Sequence, residues 1–147
     1  MSELEAKVSP NSVLSFHFSL FFHHFHSGLK GIDEVLVVCI NDAAVMDAWA
    51  DDQKVGRDGS GSMINFLGDP HGNLIDALDM RMTAEGPHGK FGQGRSKRFS
   101  AYFDKGVLKI MNVAEAPDDP AGDDRPGNSL VEKMLTDLTT LGLKGDL

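Results

Sequence analysis

The pattern of apolar positions predicts a buried strand followed by a helix in the first third of the chain. The run from Val35 to Ile40 is short, continuous and rich in β-branched residues, which is typical of a strand buried on both faces. Asn41 or Asp42 can then accept hydrogen bonds from the free amides of a following helix. Apolar residues recur at helical spacing over residues 43–54. A parallel central strand and the helix after it therefore form a βα unit.

Further along, the pattern predicts a second strand and an antiparallel hairpin. Residues 63–67 form a short apolar run that ends at glycine and proline, and a short helix is expected over residues 74–80. Residues 83–94 lack periodicity and are expected to form a loop long enough to suspect function. Two alternating runs, 98–103 and 107–113, flank an Asp-Lys-Gly turn, which indicates paired antiparallel strands.

The C-terminal part predicts a loop and a closing helix. Residues 114–127 are rich in Pro, Asp and Gly and are expected to form a solvated loop. Ser129 and Glu132 have the spacing of a capping box, so a helix is expected to begin there and end at Gly142. This order of elements predicts an α/β domain with a mixed sheet flanked by helices and the hairpin at its antiparallel edge.

Composition changes near Gly28. Residues 1–27 form an atypical segment rich in Phe and His, and residues 28–147 carry the regular elements. The period-two alternation over residues 16–22 predicts an edge strand. This strand would replace a strand of the sheet that the rest of the chain lacks. Alternatively, exposed aromatic side chains would make this segment sticky, and aggregation or a partner contact would follow.

Charge and cysteine content narrow the function classes. The net charge of -8, from 14 basic and 22 acidic residues, repels phosphate backbones and anionic lipid, so neither nucleic acid nor a membrane is an expected partner. A single cysteine excludes an internal disulfide and fits a reducing compartment, so we expect a cytoplasmic protein. Glu3 and Glu5 precede the early apolar run where a signal peptide carries positive charge, which disfavours that reading.

No cofactor or metal is expected from the motifs. Histidines cluster in the N-terminal segment, but a zinc or nickel site needs a defined ligand set, and a packed aromatic segment is favoured. The acidic residues of 118–124 do not have EF-hand spacing, so a solvated loop is favoured over a weak calcium site. Residues 56–62 are glycine-rich but lack the ending of a phosphate-binding loop. The four histidines of the segment are His17, His23, His24 and His26.

Three tracts together carry a family resemblance. Residues 39–49, residues 67–73, and residues 94–100 with the following Asp104–Lys109 resemble the type II, glutaredoxin-dependent peroxiredoxins of plants, algae and bacteria. The tracts occur in the same order and at similar spacing as in that family, and the resemblance runs from about Gly28 to the C-terminus. Residues 28–147 are thereby identified as an incomplete peroxiredoxin (redoxin) domain.

The resemblance implies a thioredoxin-like fold and thiol-dependent reduction of hydrogen peroxide or organic hydroperoxides. A cysteine thiolate attacks the peroxide and becomes a sulfenic acid, which glutaredoxin or thioredoxin then reduces. Arg98 matches the family's arginine by motif, and its implied catalytic role is to stabilise the thiolate and the charge that develops on the peroxide oxygens. The alternative is a surface arginine without a functional role, either a solvated charge or one partner of a surface ion pair. The resemblance also implies a homodimer.

The sequence departs from the family at the nucleophile. The family carries its peroxidatic cysteine in a Pro-x-x-x-Thr-x-x-Cys motif upstream of the strand that precedes Asn41, and no such motif occurs in this sequence. The first strands and the catalytic helix are therefore expected to be missing or replaced. Cys39 lies inside an apolar strand, where a thiol behaves as a small hydrophobe of low reactivity. Impaired peroxidase activity through Cys39 and a non-catalytic, truncated or spliced interaction module remain two open hypotheses.

Overall fold

The described part of the chain forms one mixed five-stranded sheet. The computed structural model describes residues 11–15, 31–55, 63–92 and 94–143. The strands lie in the order β3-β2-β1-β4-β5 across the sheet. They are β1 (Asn11–Ser15), β2 (Glu34–Cys39), β3 (Ile64–Gly68), β4 (Phe99–Asp104) and β5 (Val107–Val113).

Strand direction follows the prediction for the hairpin and for the central parallel strand. β2 runs parallel to both β1 and β3, and β4 runs antiparallel to β1 and β5. The turn between β4 and β5 places Lys105 at φ 51 and Gly106 at φ 77, a backbone geometry that glycine adopts without steric cost. β2 therefore lies inside the sheet and β5 forms one edge, as the sequence predicted.

Four α-helices accompany the sheet in the described residues. Asp42 caps the first of them, because its Oδ1 accepts a hydrogen bond from the amide of Val45 at 2.9 Å. The last helix is tied to β5, since Asp137 accepts from both Lys133 and Asn112. The hydrogen bond from Lys133 is the largest cause of the lowered pKa of Asp137, and the hydrogen bond from Asn112 lowers this pKa further. The helices are α1 (Ala43–Asp52), α2 (Asn73–Ala77), α3 (Glu85–Phe91) and α4 (Val131–Thr140).

Two apolar clusters cover the two faces of the sheet. One cluster joins Val35, Val37 and Tyr102 to α1 and α4, and the other joins Leu36, Val38 and Phe99 to α2. The alternation of burial along β2 explains both, because successive side chains of a strand point to opposite faces. β2 is buried on both faces, as its continuous apolar run predicted. The domain is thus an α/β domain with helices flanking a mixed sheet.

Two local predictions are wrong. Residues 83–94 were expected to form a loop, but Glu85–Phe91 form helix α3 despite containing glycine and proline. The capping box at Ser129 does not form: its hydroxyl donates to the carbonyl of Pro126 at 3.3 Å, within a short 3-10 helix, and Leu130 precedes α4. Ser129 is fully buried, so its tertiary surroundings, and not the local capping pattern, determine which group its hydroxyl contacts. α4 ends at Thr140, two residues before the predicted stop at Gly142, which has φ 86.

The N-terminal segment contributes a central strand. β1 lies between β2 and β4, so a strand from residues 1–27 occupies the interior of the sheet. The edge strand predicted over residues 16–22 and the four clustered histidines lie outside the described residues. The predicted boundary at residue 28, between the atypical N-terminal segment and the regular domain, stays a prediction. Across the described ranges, no helix is both long enough and apolar enough to span a membrane.

Candidate functional site

Cys39 and Arg98 lie at the same end of the sheet. Ser15, the last residue of β1, pairs with Val37 of β2 on one side and with Ser100 of β4 on the other. Cys39 is two residues beyond Val37, and Arg98 is two residues before Ser100 in a strand of opposite direction. Both residues therefore lie two positions beyond the residues paired with Ser15, at the carboxyl ends of the parallel strands.

The same register places both residues on one face of the sheet. Side chains alternate along a strand, so Cys39 shares its parity with Val37, and Arg98 shares its parity with Ser100 and Tyr102. Val37 and Tyr102 belong to the cluster that faces α1 and α4. Neighbouring strands lie about 4.8 Å apart, so the main chains of β2 and β4, with β1 between them, are separated by about 10 Å.

The surroundings of Cys39 differ from the sequence prediction of a fully buried thiol. Cys39 is the last residue of β2, is partly exposed, and packs against both apolar clusters. The strand ends there, which opens its side chain to the end of the sheet. Its carbonyl accepts a hydrogen bond from the amide of Asp69 at 2.6 Å.

The buried Asp69 carboxylate organises the turn beside Cys39. Its oxygens accept from the amides of Asn73, Leu74 and Ile75. These are the free amides at the start of α2, and a carboxylate satisfies them. Cys39, unlike Asp69, is not placed at the start of a helix. It lies on a strand, and α1 begins only at Ala43, after the Asp42 cap. The thiol therefore does not sit at a helix N-terminus.

Arg98 is held by an ion pair and by the sheet ladder. Its Nη2 donates to Oδ1 of Asp123 at 2.7 Å, and the side chains of Arg98 and Asp123 are 23% and 59% exposed. The carbonyl of Arg98 accepts from the amide of Ala114 at 2.9 Å, which extends the pairing of β4 with β5 by one residue. The motif arginine is thus fixed in position and already paired with a carboxylate.

Asp119 shapes the loop that presents Asp123. Asp119 is buried, and its carboxylate accepts from the amides of Asp123, Asp124 and Arg125 at 3.0 to 3.1 Å. A hydrogen bond to a charged group contributes about 1.5–3 kcal/mol. The prediction of a solvated loop is therefore wrong at Asp119, because three backbone amides replace its water.

Two more acidic residues of the loop, Asp118 and Glu115, also have protein partners. Arg125 hydrogen-bonds Asp118, and this contact is the main reason that the pKa of Asp118 is lowered. Lys97 pairs with Glu115 at 3.6 Å, next to the Arg98 pair. Across the described ranges no group of three or more metal-ligating side chains occurs. The carboxylates of Asp118 and Glu115 thus serve contacts within the protein.

Two buried polar atoms beside Arg98 and Lys97 have no hydrogen-bond partner among the described residues: Oγ of Ser100 and Oε2 of Glu115. Ser100 is only 2% exposed and shares the sheet face of Arg98. Sequence reasoning did not single out Ser100 or Asp123 as functional residues. The only available signal was the position of Ser100 in the Arg98 motif, and nothing in the sequence linked Asp123 to Arg98, 25 residues away.

Comparison with curated proteins gives peroxiredoxins as relatives. The chain is 36% identical over 94 residues to mitochondrial Peroxiredoxin-2F of Arabidopsis thaliana, across 61% of this chain and 41% of that protein. It is 34% identical over 91 residues to Hybrid peroxiredoxin hyPrx5 of Haemophilus influenzae, across 61% of this chain and 34% of that protein. The chain thus spans well under half the length of these relatives. No protein-family model matches it.

Solved structures that superpose on this chain include peroxiredoxins. Reduced Prx3 from Vibrio vulnificus in complex with H₂O₂ superposes with a TM-score of 0.66 at 27% identity, covering 95% of this chain and 84% of that one. The Plasmodium falciparum antioxidant protein, a 1-Cys peroxiredoxin, superposes with a TM-score of 0.67, covering 89% of this chain and 76% of that one. At 16% identity it supports the fold alone. The chain is thus similar in sequence to peroxiredoxins, and its described residues have the thioredoxin-like fold of peroxiredoxins.

Proposed function

We propose that this chain reduces hydrogen peroxide or organic hydroperoxides through Cys39, assisted by Arg98, more slowly than a peroxiredoxin that keeps its motif cysteine. The observation that carries the proposal is the shared position of Cys39 and Arg98, at one end and on one face of the sheet. Cys39 is also the only thiol in the sequence. The Vibrio vulnificus relative, whose structure holds H₂O₂, supports the choice of substrate class.

The proposed reaction has two steps. The Cys39 thiolate attacks one peroxide oxygen, the O–O bond breaks, and the leaving hydroxide or alkoxide takes a proton to become water or an alcohol. Cys39 is then a sulfenic acid. Two thiols of the reductant convert it back to the thiol, release water and are themselves oxidised to a disulfide. Arg98 stabilises negative charge on the thiolate and on the peroxide oxygens in the first step.

The slow rate follows from where Cys39 lies. A helix N-terminus and an adjacent cation favour a thiolate, and these are the features that activate reactive cysteines. Cys39 ends a strand, and the main chain that carries Arg98 lies two strand spacings away, about 10 Å. The guanidinium is moreover shared with Asp123. Both features weaken the stabilisation that Arg98 can give.

For the reductant and the oligomeric state, we propose the partners that the family resemblance implies. The reductant is glutaredoxin with glutathione, or thioredoxin, and the chain forms a homodimer. The cytoplasm is proposed as its compartment from the single cysteine. Curated relatives named as mitochondrial and chloroplastic also exist, so this proposal stands on the sequence alone.

A turnover assay tests the proposed function. The purified chain is mixed with hydrogen peroxide, glutathione and glutaredoxin, and loss of peroxide is followed against the same mixture without the chain. We expect slow turnover that requires both glutaredoxin and the chain, and a parallel assay with thioredoxin identifies the preferred reductant. Peroxide loss equal to that of the mixture without the chain would overturn the proposal.

A non-catalytic role as an interaction module is the second candidate. Val107 and Leu108 at the start of the edge strand β5 are 54% and 41% exposed, which leaves apolar surface beside an open strand edge. Such a surface suits pairing with an intact peroxiredoxin. The absence of turnover together with complex formation in gel filtration with an intact peroxiredoxin would favour this candidate.

A further inference from the structure

We propose that Asp123 is an internal counter-ion that restrains Arg98, so that Arg98 acts at full strength on an anion only when the Arg98–Asp123 pair opens. The inference deepens the proposed function and rests on it for its biological meaning. It makes Asp123 a positioning residue, because Asp123 acts through Arg98 and not on the peroxide.

The contact itself is direct and engages the end of the guanidinium. Nη2 of Arg98 and Oδ1 of Asp123 are 2.7 Å apart, which is the length of a charge-assisted hydrogen bond. Anions that reach Arg98 must compete with this carboxylate. Opposite charges in contact largely cancel each other's field at a distance, so a paired Arg98 stabilises the Cys39 thiolate less than a free one would.

One direct hydrogen bond and two contacts earlier in the loop anchor the backbone that carries Asp123. The amide of Asp123 donates to the buried Asp119 carboxylate. The Lys97–Glu115 pair and the hydrogen bond from Ala114 to Arg98 fasten the preceding part of the loop beside the start of β4. The backbone of Asp123 is therefore fixed independently of its own side chain, and a change of that side chain leaves the loop anchored.

Exposure makes the pair one that opens readily. The side chain of Asp123 is 59% exposed, whereas that of Arg98 is 23% exposed. Ion pairs with an exposed partner contribute little stability and are screened by salt. Asp123 can therefore swing into solvent while Arg98 stays at the end of the sheet, and an incoming anion takes the vacated side of the guanidinium.

The test compares an anionic and a neutral reagent at the only thiol. Rates of Cys39 alkylation by iodoacetate and by iodoacetamide are measured by mass spectrometry, and their ratio reports the positive potential near the thiol. We expect Asp123→Asn to raise this ratio about threefold at low salt, as unmasking one charge about 10 Å away predicts. High salt should remove most of the gain. Partial unfolding of a variant would raise the rates of Cys39 alkylation by both reagents, so its effect largely cancels in the ratio of the two rates.

Matched variants separate the pair from net charge. Asp124→Asn removes the same charge from the same loop, but Asp124 is not the residue that pairs with Arg98, so its ratio should stay close to that of the wild type. Asp123→Glu keeps a carboxylate and should restore the wild-type ratio. With Arg98→Gln in place, Asp123→Asn should have no more effect than Asp124→Asn.

The outcomes distinguish this inference from the proposed function. Equal ratios for Asp123→Asn and Asp124→Asn, or a gain that persists with Arg98→Gln, would overturn the role of Asp123. If Asp123→Asn raises the ratio as expected but no variant turns over peroxide, the restraint on Arg98 is supported and the proposed peroxidase function is overturned. Faster peroxide turnover in Asp123→Asn than in Asp124→Asn supports both.

Discussion

Replacing Cys39 with serine is expected to abolish all peroxide turnover by the chain. Serine keeps the size and hydrogen bonding of the side chain but removes the nucleophilic sulfur, and the sequence contains no second thiol to take its place. The measurement is glutaredoxin-dependent peroxide loss for the variant and the wild type at equal concentration. We expect the variant to match the mixture without the chain.

The matched control for this change is Ile40→Val, at the next position. Ile40 is partly buried against the same apolar cluster that Cys39 contacts, and removing one methylene costs about 0.5–1.5 kcal/mol while leaving the thiol in place. Turnover per folded molecule should be retained in Ile40→Val. Turnover that survives Cys39→Ser would exclude every thiol mechanism for this chain, because no other sulfur in it is a thiol.

Replacing Arg98 with glutamine is expected to lower the rate of Cys39 oxidation by peroxide about tenfold, which corresponds to about 1.4 kcal/mol in the barrier. The effect is smaller than the loss of a fully buried charge donor, because Arg98 is partly exposed and shared with Asp123. The effect is measured as the second-order rate constant for the loss of the Cys39 thiol on reaction with peroxide. Arg98→Lys keeps the charge without the planar fork and should recover part of the rate.

Arg125→Gln provides the control for Arg98. Arg125 carries the same charge, lies in the same loop region and also pairs with an aspartate, Asp118, but it is more exposed and belongs to no motif of the site. Its rate constant should stay close to that of the wild type. Equal losses for Arg98→Gln and Arg125→Gln would show that net charge, and not the position of Arg98, sets the rate.

The elements of the sheet could be predicted wherever one local pattern dominates. The continuous β-branched run of β2, the alternating hairpin and the Asp42 cap all follow from nearest-neighbour chemistry, and each is confirmed. The predictions failed where tertiary burial overrides local preference. Helix α3 forms despite glycine and proline, and Ser129 turns inward to the Pro126 carbonyl because it is buried.

The site was only partly predictable. The motif around Arg98 predicts a candidate residue that lies at the same end of the sheet as Cys39, but no sequence pattern indicates that Asp123, 25 residues later, pairs with it. Nor could the run around Cys39 reveal that its last positions reach the end of the sheet, because the exposure of a strand depends on its register with the neighbouring strands. Contacts of this kind depend on register between strands, which no local pattern encodes.

In the proposed reaction, Cys39 at the end of the sheet is the thiol that peroxide oxidises. Trapping the product tests it most directly: the reduced chain is treated with one equivalent of hydrogen peroxide in the presence of dimedone, which reacts with sulfenic acids, and peptides are mapped by mass spectrometry. We expect a dimedone adduct on Cys39 that is less abundant in Arg98→Gln and equally abundant in Arg125→Gln. A folded chain whose Cys39 remains an unmodified thiol, while the peroxide stays unconsumed, would contradict it.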